Sequence, residues 1–213
     1  MKIAVINEVS ARDKNAYIIS AIKKCGHEVV NVGMTEKDSA ENGLTYIHTG
    51  FMAGILLNVG VVDFVVGGCG TGQGFLISAM QYPEVFCGLI ESSLDAWLFS
   101  QINGGNCISL ALNKGFGWAG DKNLEYLFEK LFVDELGLGY PKERSESQRL
   151  SRMTLKNISQ SAHKPMEEIL SIMDKSIIKA IFAHKPFTDL IKANCKNKVL
   201  QNIILNNYMR GNL

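Results

Sequence analysis

Cys69 and Thr71 are the two reactive side chains in the run Gly67–Gly68–Cys69–Gly70–Thr71–Gly72–Gln73–Gly74, which holds five glycines. A thiol in such a loop can act as a nucleophile or general base, and a hydroxyl two residues on can donate to an oxyanion. Glycines at this density leave backbone N–H groups open to an approaching anion. The loop follows Val61–Val66, an apolar run that predicts a strand buried on both faces. Phe75–Met80 behind it predicts a helix. Strand, glycine loop and helix N-terminus together favour negative charge, whether a phosphate, an oxyanion or the thiolate itself.

The elements that must hold this loop alternate in type. Ile3–Ile6, Glu28–Val32, Val61–Val66, Phe86–Ile90 and Cys107–Leu112 predict strands, while Arg12–Cys25, Thr45–Val59, Phe75–Met80, Ser92–Gln101 and Trp118–Asp134 predict helices. This alternation predicts an α/β fold of the doubly wound, Rossmann-like class, a three-layer sandwich around a five-stranded parallel sheet. Such sheets bind ligands at the carboxyl ends of their strands, near a topological switch point. Asn7–Ser10, Gly68–Gly74, Glu91–Ser93 and Asn113–Gly117 are the loops at those ends. Gly50 and Gly54 in the second helix predict close packing of that helix on the sheet. Beyond Gly137–Pro141 no strand pattern recurs, and residues 154–212 read as helical. Ala162–Pro165 and Ala183–Pro186 repeat the phrase Ala-His-Lys-Pro and set a proline where a helix can begin. The expected division is an α/β domain over residues 1–150 and a helical C-terminal extension over residues 151–213.

With 213 residues and 46% hydrophobic content the chain can bury a substantial core. It holds no run of about 18 apolar residues, so a membrane span is not expected. Its opening residues enter a strand pattern directly, without the signature of a secretory signal. The five cysteines are odd in number and lack C-x-x-C spacing, which favours a reduced, cytoplasmic setting and argues against zinc. The net charge of +1 conceals two opposite halves. Residues 1–140 carry 9 Lys and Arg against 15 Asp and Glu, and residues 141–213 carry 13 against 6. The basic part lacks the interleaved aromatics of a nucleic-acid interface. Two or three of its cations suffice to hold the anionic group of a small substrate.

The segment Cys69–Gly74 resembles the corresponding loop of the ribose-5-phosphate isomerase B / galactose-6-phosphate isomerase family. The likeness covers about residues 1–150, through Tyr46–His48, Gln101–Ile102–Asn103 and the arginines after the last core helix. It implies aldose–ketose isomerisation of a sugar phosphate through an enediolate, with Cys69 as the base. Thr71 and the amides of Gly70, Gly72 and Gly74 are then oxyanion donors, and Tyr46 and Gln73 line the site. Glu8 meets a substrate hydroxyl, Asn103 binds substrate, Arg144 grips phosphate, and Arg149 or Arg152 stands near a second such position. The resemblance further implies a homodimer whose active sites are shared between subunits. Neither metal nor organic cofactor is implied, and neither nucleic acid nor membrane is an expected partner.

The chain departs from the family pattern at two positions. Members carry an acidic residue and then a histidine after the first strand, where this chain has Glu8–Val9; the ring-opening histidine before the asparagine is replaced by Ile102. Isoleucine moves no proton. The substrate therefore enters in open-chain form, or His48, Glu8, His163 or His184 takes over, or the activity differs. Ribose 5-phosphate, galactose 6-phosphate and a shorter sugar phosphate remain candidates; a tetrose phosphate needs no ring opening. The alternatives are a sugar-phosphate epimerase and a non-catalytic sugar-phosphate-binding or regulatory subunit. Of the other side chains, His27 reads as structural, His163 and His184 as exposed helix starts, and Cys25, Cys87, Cys107 and Cys195 as core.

Overall fold

Strands β1 (Lys2–Asn7), β2 (Glu28–Asn31), β3 (Phe64–Cys69), β4 (Cys87–Ile90) and β5 (Cys107–Ala111) pair in parallel in the order β2-β1-β3-β5-β4. The computed structural model describes residues 1–41 and 43–208, so Arg210 and the predicted helical residues 209–212 lie outside the described residues. Strand side chains alternate between the two faces. Ile3, Val5, Phe64 and Val66 pack against α1 (Asn15–Lys24), α4 (Ser93–Leu98) and α5 (Gly120–Leu131). Ala4, Ile6 and Val65 face the side of α2 (Tyr46–Val59) and α3 (Gln73–Ala79). Both faces are covered, which is why the strands read as apolar runs rather than alternations.

Helices α6 (Ser145–Ala162), α7 (Met166–Ile172), α8 (Lys175–Ala183), α9 (Lys185–Asn194) and α10 (Lys198–Tyr208) complete the described chain. α7 starts directly after Pro165, and α9 carries Pro186 in its first turn. Ile178, Ile181, Phe187 and Ile191 from this segment join the apolar cluster of α2. The carbonyl of Val59, at the end of α2, accepts from the amides of Lys196 (3.0 Å) and Asn197 (3.3 Å). α2 is thus enclosed by α3 and the sheet on one side and by the C-terminal helices on the other. Nine of its fourteen residues are buried, as befits a helix that is apolar all round.

Three expectations are corrected. β3 begins and ends three residues later than its apolar run suggests, because Gly67, Gly68 and Cys69 belong to the strand. The ring of Phe75 fills the space at Gly67, where a β-carbon would lie 2.0 Å from Cζ; Leu110 and Leu112 crowd Gly68 in the same way. Gly50 and Gly54 do permit a close approach, but to Ser78 of α3 and Tyr82 in the turn after it rather than to the sheet: β-carbons there would meet them at 2.2 and 2.7 Å. His184 is not an exposed helix start. It sits largely buried between the β2–α2 connection and the α8–α9 junction, near Val32 and Asp38, and burial pushes its imidazole below the ordinary range. Cys107 and Cys195 are buried and Cys25 and Cys87 half-buried. His27 packs edge-on against Phe132. Among the described residues no helix is long and apolar enough to cross a membrane.

Candidate active site

The fold brings the cysteine loop to the carboxyl ends of β1, β3 and β5, beside the switch point between β1 and β3. Cys69 is the last residue of β3, stands opposite Ala111 of β5, and is 6% exposed. The carbonyls that follow turn back into the protein. That of Cys69 accepts from Leu112, and that of Gly70 from both Asn113 and Lys114, all at 3.0 Å. The carbonyl of Gly72 accepts from the Ser109 hydroxyl at 2.5 Å. Gly72 has φ +76°, and a β-carbon there would meet Leu89 at 2.6 Å and the backbone of Leu110 and Ala111. A side chain is therefore excluded on both conformational and steric grounds. With the carbonyls turned inward, the amides of Gly70, Thr71 and Gly72 have no protein acceptor among the described residues. They form the concave, N–H-lined turn that suits an anion. Thr71 and Gln73 are exposed beside it.

Glu8 arrives from the neighbouring strand. Asn7 pairs with Gly68, so Glu8 and Cys69 are the next residues on adjacent strands, about 4.8 Å apart. The Glu8 amide donates to the Gly68 carbonyl at 3.2 Å, and its carboxylate accepts from the Ser10 hydroxyl. Glu8 is only 6% exposed and does not cap the helix that follows, so its carboxylate is held at the site rather than spent on a helix end. Ser10 and Asn113 are site neighbours that the residue types alone did not single out. Both approach Gly70, and the Asn113 amide donates to the Ser10 carbonyl at 2.8 Å. Their loops follow β1 and β5, and the position of those loops at carboxyl ends is the signal that points to them.

Tyr46 opens α2 with its ring over Gly74. His48 does not reach for substrate through Nδ1, which accepts from the Thr45 amide at 3.0 Å and closes a capping box. Lys114 is paired with Glu91 at 2.6 Å, and the Arg12 guanidinium donates to the Val9 carbonyl at 3.1 Å.

Asn103 and the C-terminal arginines stand elsewhere. Asn103 ends the π-helical turn Phe99–Asn103 and precedes β5 at its amino end. From Asn106 to Ala111, opposite Cys69, is about 17 Å at about 3.3 Å per residue. Around Asn103 runs an apolar groove of about 1060 Å³, walled by Met80, Cys87, Leu98 and Ile102 on one side and Met153 and Ile158 of α6 on the other. Arg144 and Arg149 lie on its rim, exposed. Arg149 forms two hydrogen bonds to Glu146, at 2.7 and 2.8 Å. Arg152 is a clamp: it donates to the carbonyls of Ile102 (2.9 Å) and Gly137 (2.7 Å). His163, also on the groove, packs Nδ1 against the Ser159 carbonyl at 3.0 Å. Within one chain, then, Cys69, Thr71, Glu8, Tyr46, Gln73 and the loop glycines converge, and Asn103, Arg144 and Arg149 do not join them.

A family model described as Ribose/Galactose Isomerase matches residues 3–131. The crystal structure of a 4-deoxy-L-threo-5-hexosulose-uronate ketol-isomerase complexed with a tartrate is 41% identical, with a TM-score of 0.92, covering 97% of this chain and 98% of that one. A ribose-5-phosphate isomerase from Vibrio parahaemolyticus is 43% identical, with a TM-score of 0.91 and the same coverage of 97% and 98%. The type B ribose 5-phosphate isomerase of Leishmania infantum shares the fold at 16% identity, with a TM-score of 0.62 over 76% of this chain and 97% of that one. The comparison with curated proteins gives no match.

Proposed function

The chain belongs to the ribose/galactose isomerase family, and on that ground we propose that it is a ketol isomerase working through an enediolate, with Cys69 as the base. A thiolate at Cys69 takes the proton from the carbon next to the substrate carbonyl and returns it to the neighbouring carbon. The Thr71 hydroxyl and the unengaged amides of Gly70, Thr71 and Gly72 hold the oxyanion that forms in between. Glu8 accepts from a substrate hydroxyl, and Tyr46 and Gln73 line the mouth. The observation that carries this reading is the convergence, at one switch point, of a strand-end thiol, a turn of free amides and a nearly buried carboxylate.

The anionic end of the substrate needs a guanidinium free to reach it; near Cys69, Lys114 is paired with Glu91, and the half-buried Arg12 is turned to the Val9 carbonyl. We assign that role to Arg144, with Arg149 and Asn103 beside it, contributed by a second copy of the chain. The separation of about 17 Å between the two ends of β5 supports this, since one chain cannot present both ends to one sugar. The apolar groove beside Asn103 and the edge strand β4 supply a surface for a two-fold partner.

For the substrate we propose an open-chain anionic sugar, with the 5-keto-hexuronate of the tartrate-bound relative as first choice. A 4-deoxy-5-keto sugar has no hydroxyl at carbon 4 or 5, so its aldehyde carbon cannot close an ordinary furanose or pyranose ring. Ile102, where the family opens rings, then costs nothing. Ribose 5-phosphate, the substrate in the name of the Vibrio relative, is the second choice, since its carbon-4 hydroxyl does close a ring. The deciding experiment is solvent-deuterium incorporation, followed by NMR, into the 5-keto-hexuronate, ribose 5-phosphate and a tetrose phosphate, with the parent chain and Cys69→Ala. Deuterium next to the carbonyl in the parent alone, fastest in the hexuronate, is the expected result. Faster labelling of ribose 5-phosphate would reverse the substrate order, and binding without exchange would leave a sensor or regulatory subunit.

A further inference from the structure

Three asparagine side chains, two buried and one half-buried, form a chain of amides immediately behind Glu8. Asn7, the last residue of β1, is 0% exposed and Asn15, the first of α1, is 3% exposed. The Asn7 amide donates to the carbonyls of Ala11 (2.7 Å) and Met34 (3.2 Å), and its oxygen accepts from Asn15 at 2.6 Å. Asn15 and Asn31 exchange reciprocal hydrogen bonds, both 2.9 Å, and the Asn31 oxygen also accepts from the Gly33 amide at 3.1 Å. Every donor and acceptor of Asn7 and Asn15 is thereby used. Buried polar groups impose one geometry only when satisfied to this degree.

The network joins four separate pieces of chain: the turn after β1, the start of α1, the end of β2 and the loop that leaves it. Two of them bear site residues. The turn Glu8–Ser10 presents the carboxylate, and the loop from Gly33 leads to Thr45 and Tyr46. Gly33 comes so close that a β-carbon would lie 2.5 Å from the Asn7 amide nitrogen and 2.7 Å from its side-chain oxygen. The same loop is pinned to the turn again by the Val9 amide, which donates to the Leu44 carbonyl at 2.9 Å.

We infer that Asn7, Asn15 and Asn31 are positioning residues that aim Glu8 at the substrate and fix it relative to Tyr46, an inference that rests on Glu8 contacting substrate as proposed above. A site built for rapid proton transfer needs its carboxylate held to within a fraction of an ångström. Glu8 follows a strand end; its amide is tied to Gly68, and the asparagine network fixes the turn beyond it through the Ala11 carbonyl.

The test is a double-mutant cycle of Asn15→Ala with Glu8→Gln, measuring kcat and KM on the 5-keto-hexuronate, ribose 5-phosphate and a tetrose phosphate separately. Asn15→Ala is expected to lower kcat roughly tenfold with a smaller change in KM, and to change kcat/KM less than about twofold once Glu8 is already Gln. Additive losses would overturn the inference while leaving Glu8 in the site. A Glu8→Gln chain of full activity would instead remove Glu8 from the site, and the inference with it, as would failure to turn over any of the three sugars. Should Asn15→Ala not fold, Asn31→Ala, at the half-exposed end of the network, enters the same cycle. Asn58→Ala separates positioning from general softening. Asn58 donates to the carbonyls of Gly54 and Pro83 far from the loop, so its loss should lower stability and leave kcat unchanged. An equal fall in kcat for Asn58→Ala would also overturn the inference.

Discussion

The ring of Tyr46 lies directly against the α-carbon of Gly74, so that a β-carbon at Gly74 would sit 2.8 Å from Cγ and 3.3 Å from Cβ of the tyrosine. These are atoms close to the backbone, and they cannot yield by a simple rotation of the ring tip. Gly74→Ala should therefore cost about 1–3 kcal/mol of stability, the usual scale of overpacking, and raise KM as Tyr46 is pushed from the mouth. Adding Tyr46→Ala should restore the stability and not the KM. Urea midpoints and Michaelis constants of the three chains check this; an unchanged midpoint in Gly74→Ala would mean the ring moves aside freely.

Thr71 stands exposed beside amides that have no protein acceptor among the described residues. As an oxyanion donor it acts on charge that develops in the transition state. Thr71→Val should then lower kcat by about 100-fold or more with little change in KM. Thr71→Ser should retain most of the rate. Equal losses in Val and Ser variants would identify the methyl group, and hence loop packing, as what matters.

The proposed sharing of sites makes a genetic-style prediction. Cys69→Ala and Arg144→Ala chains are each expected to be inactive alone. Mixed and allowed to exchange subunits, they should recover roughly a quarter of parental activity, because half the dimers then hold one intact site of two. No recovery, with exchange verified by mass, would place both residues in the same chain's site.

Acid should weaken the fold. Burial pushes His184 below the ordinary value of 6.5, against smaller upward effects from Asp38 and the Val32 backbone, and burial also lowers His48. Both folded-state values lie below the unfolded one, so the neutral forms stabilise the protein fully above pH 6.5, and that contribution is lost as pH falls below it. Protonated His48 can no longer accept the Thr45 amide through Nδ1, which opens the cap of α2. Melting temperature should thus decline from about pH 7 to about pH 5, and His184→Gln and His48→Gln should each flatten the slope. A slope unchanged in both variants would assign it to His27, which burial also lowers, or to carboxylates instead.

Much of this was legible in the residues themselves. Alternating strand and helix patterns gave the parallel sheet, and the cysteine loop marked the carboxyl end that matters. What could not be read depends on side chains far apart in sequence. The strand status of Gly67–Cys69 rests on Phe75 and Leu110 filling the space of missing side chains, and glycines read alone as loop. His184 does start a helix, but it reads as exposed because its burial comes from Val32 and Asp38, about 150 residues earlier. Ser10 and Asn113 carry no distinctive pattern and gain meaning only from the sheet order. The same order shows that Asn103, which reads as part of the site, precedes the strand whose far end adjoins Cys69.

That last arrangement reaches beyond geometry. The length of β5 separates the thiol from Asn103, whose groove carries the arginines on its rim. With sites completed only by pairing, turnover in dilute solution would rise with the square of protein concentration. The cell would then set the flux through this step by how much of the chain it makes, with a threshold, and without any effector molecule.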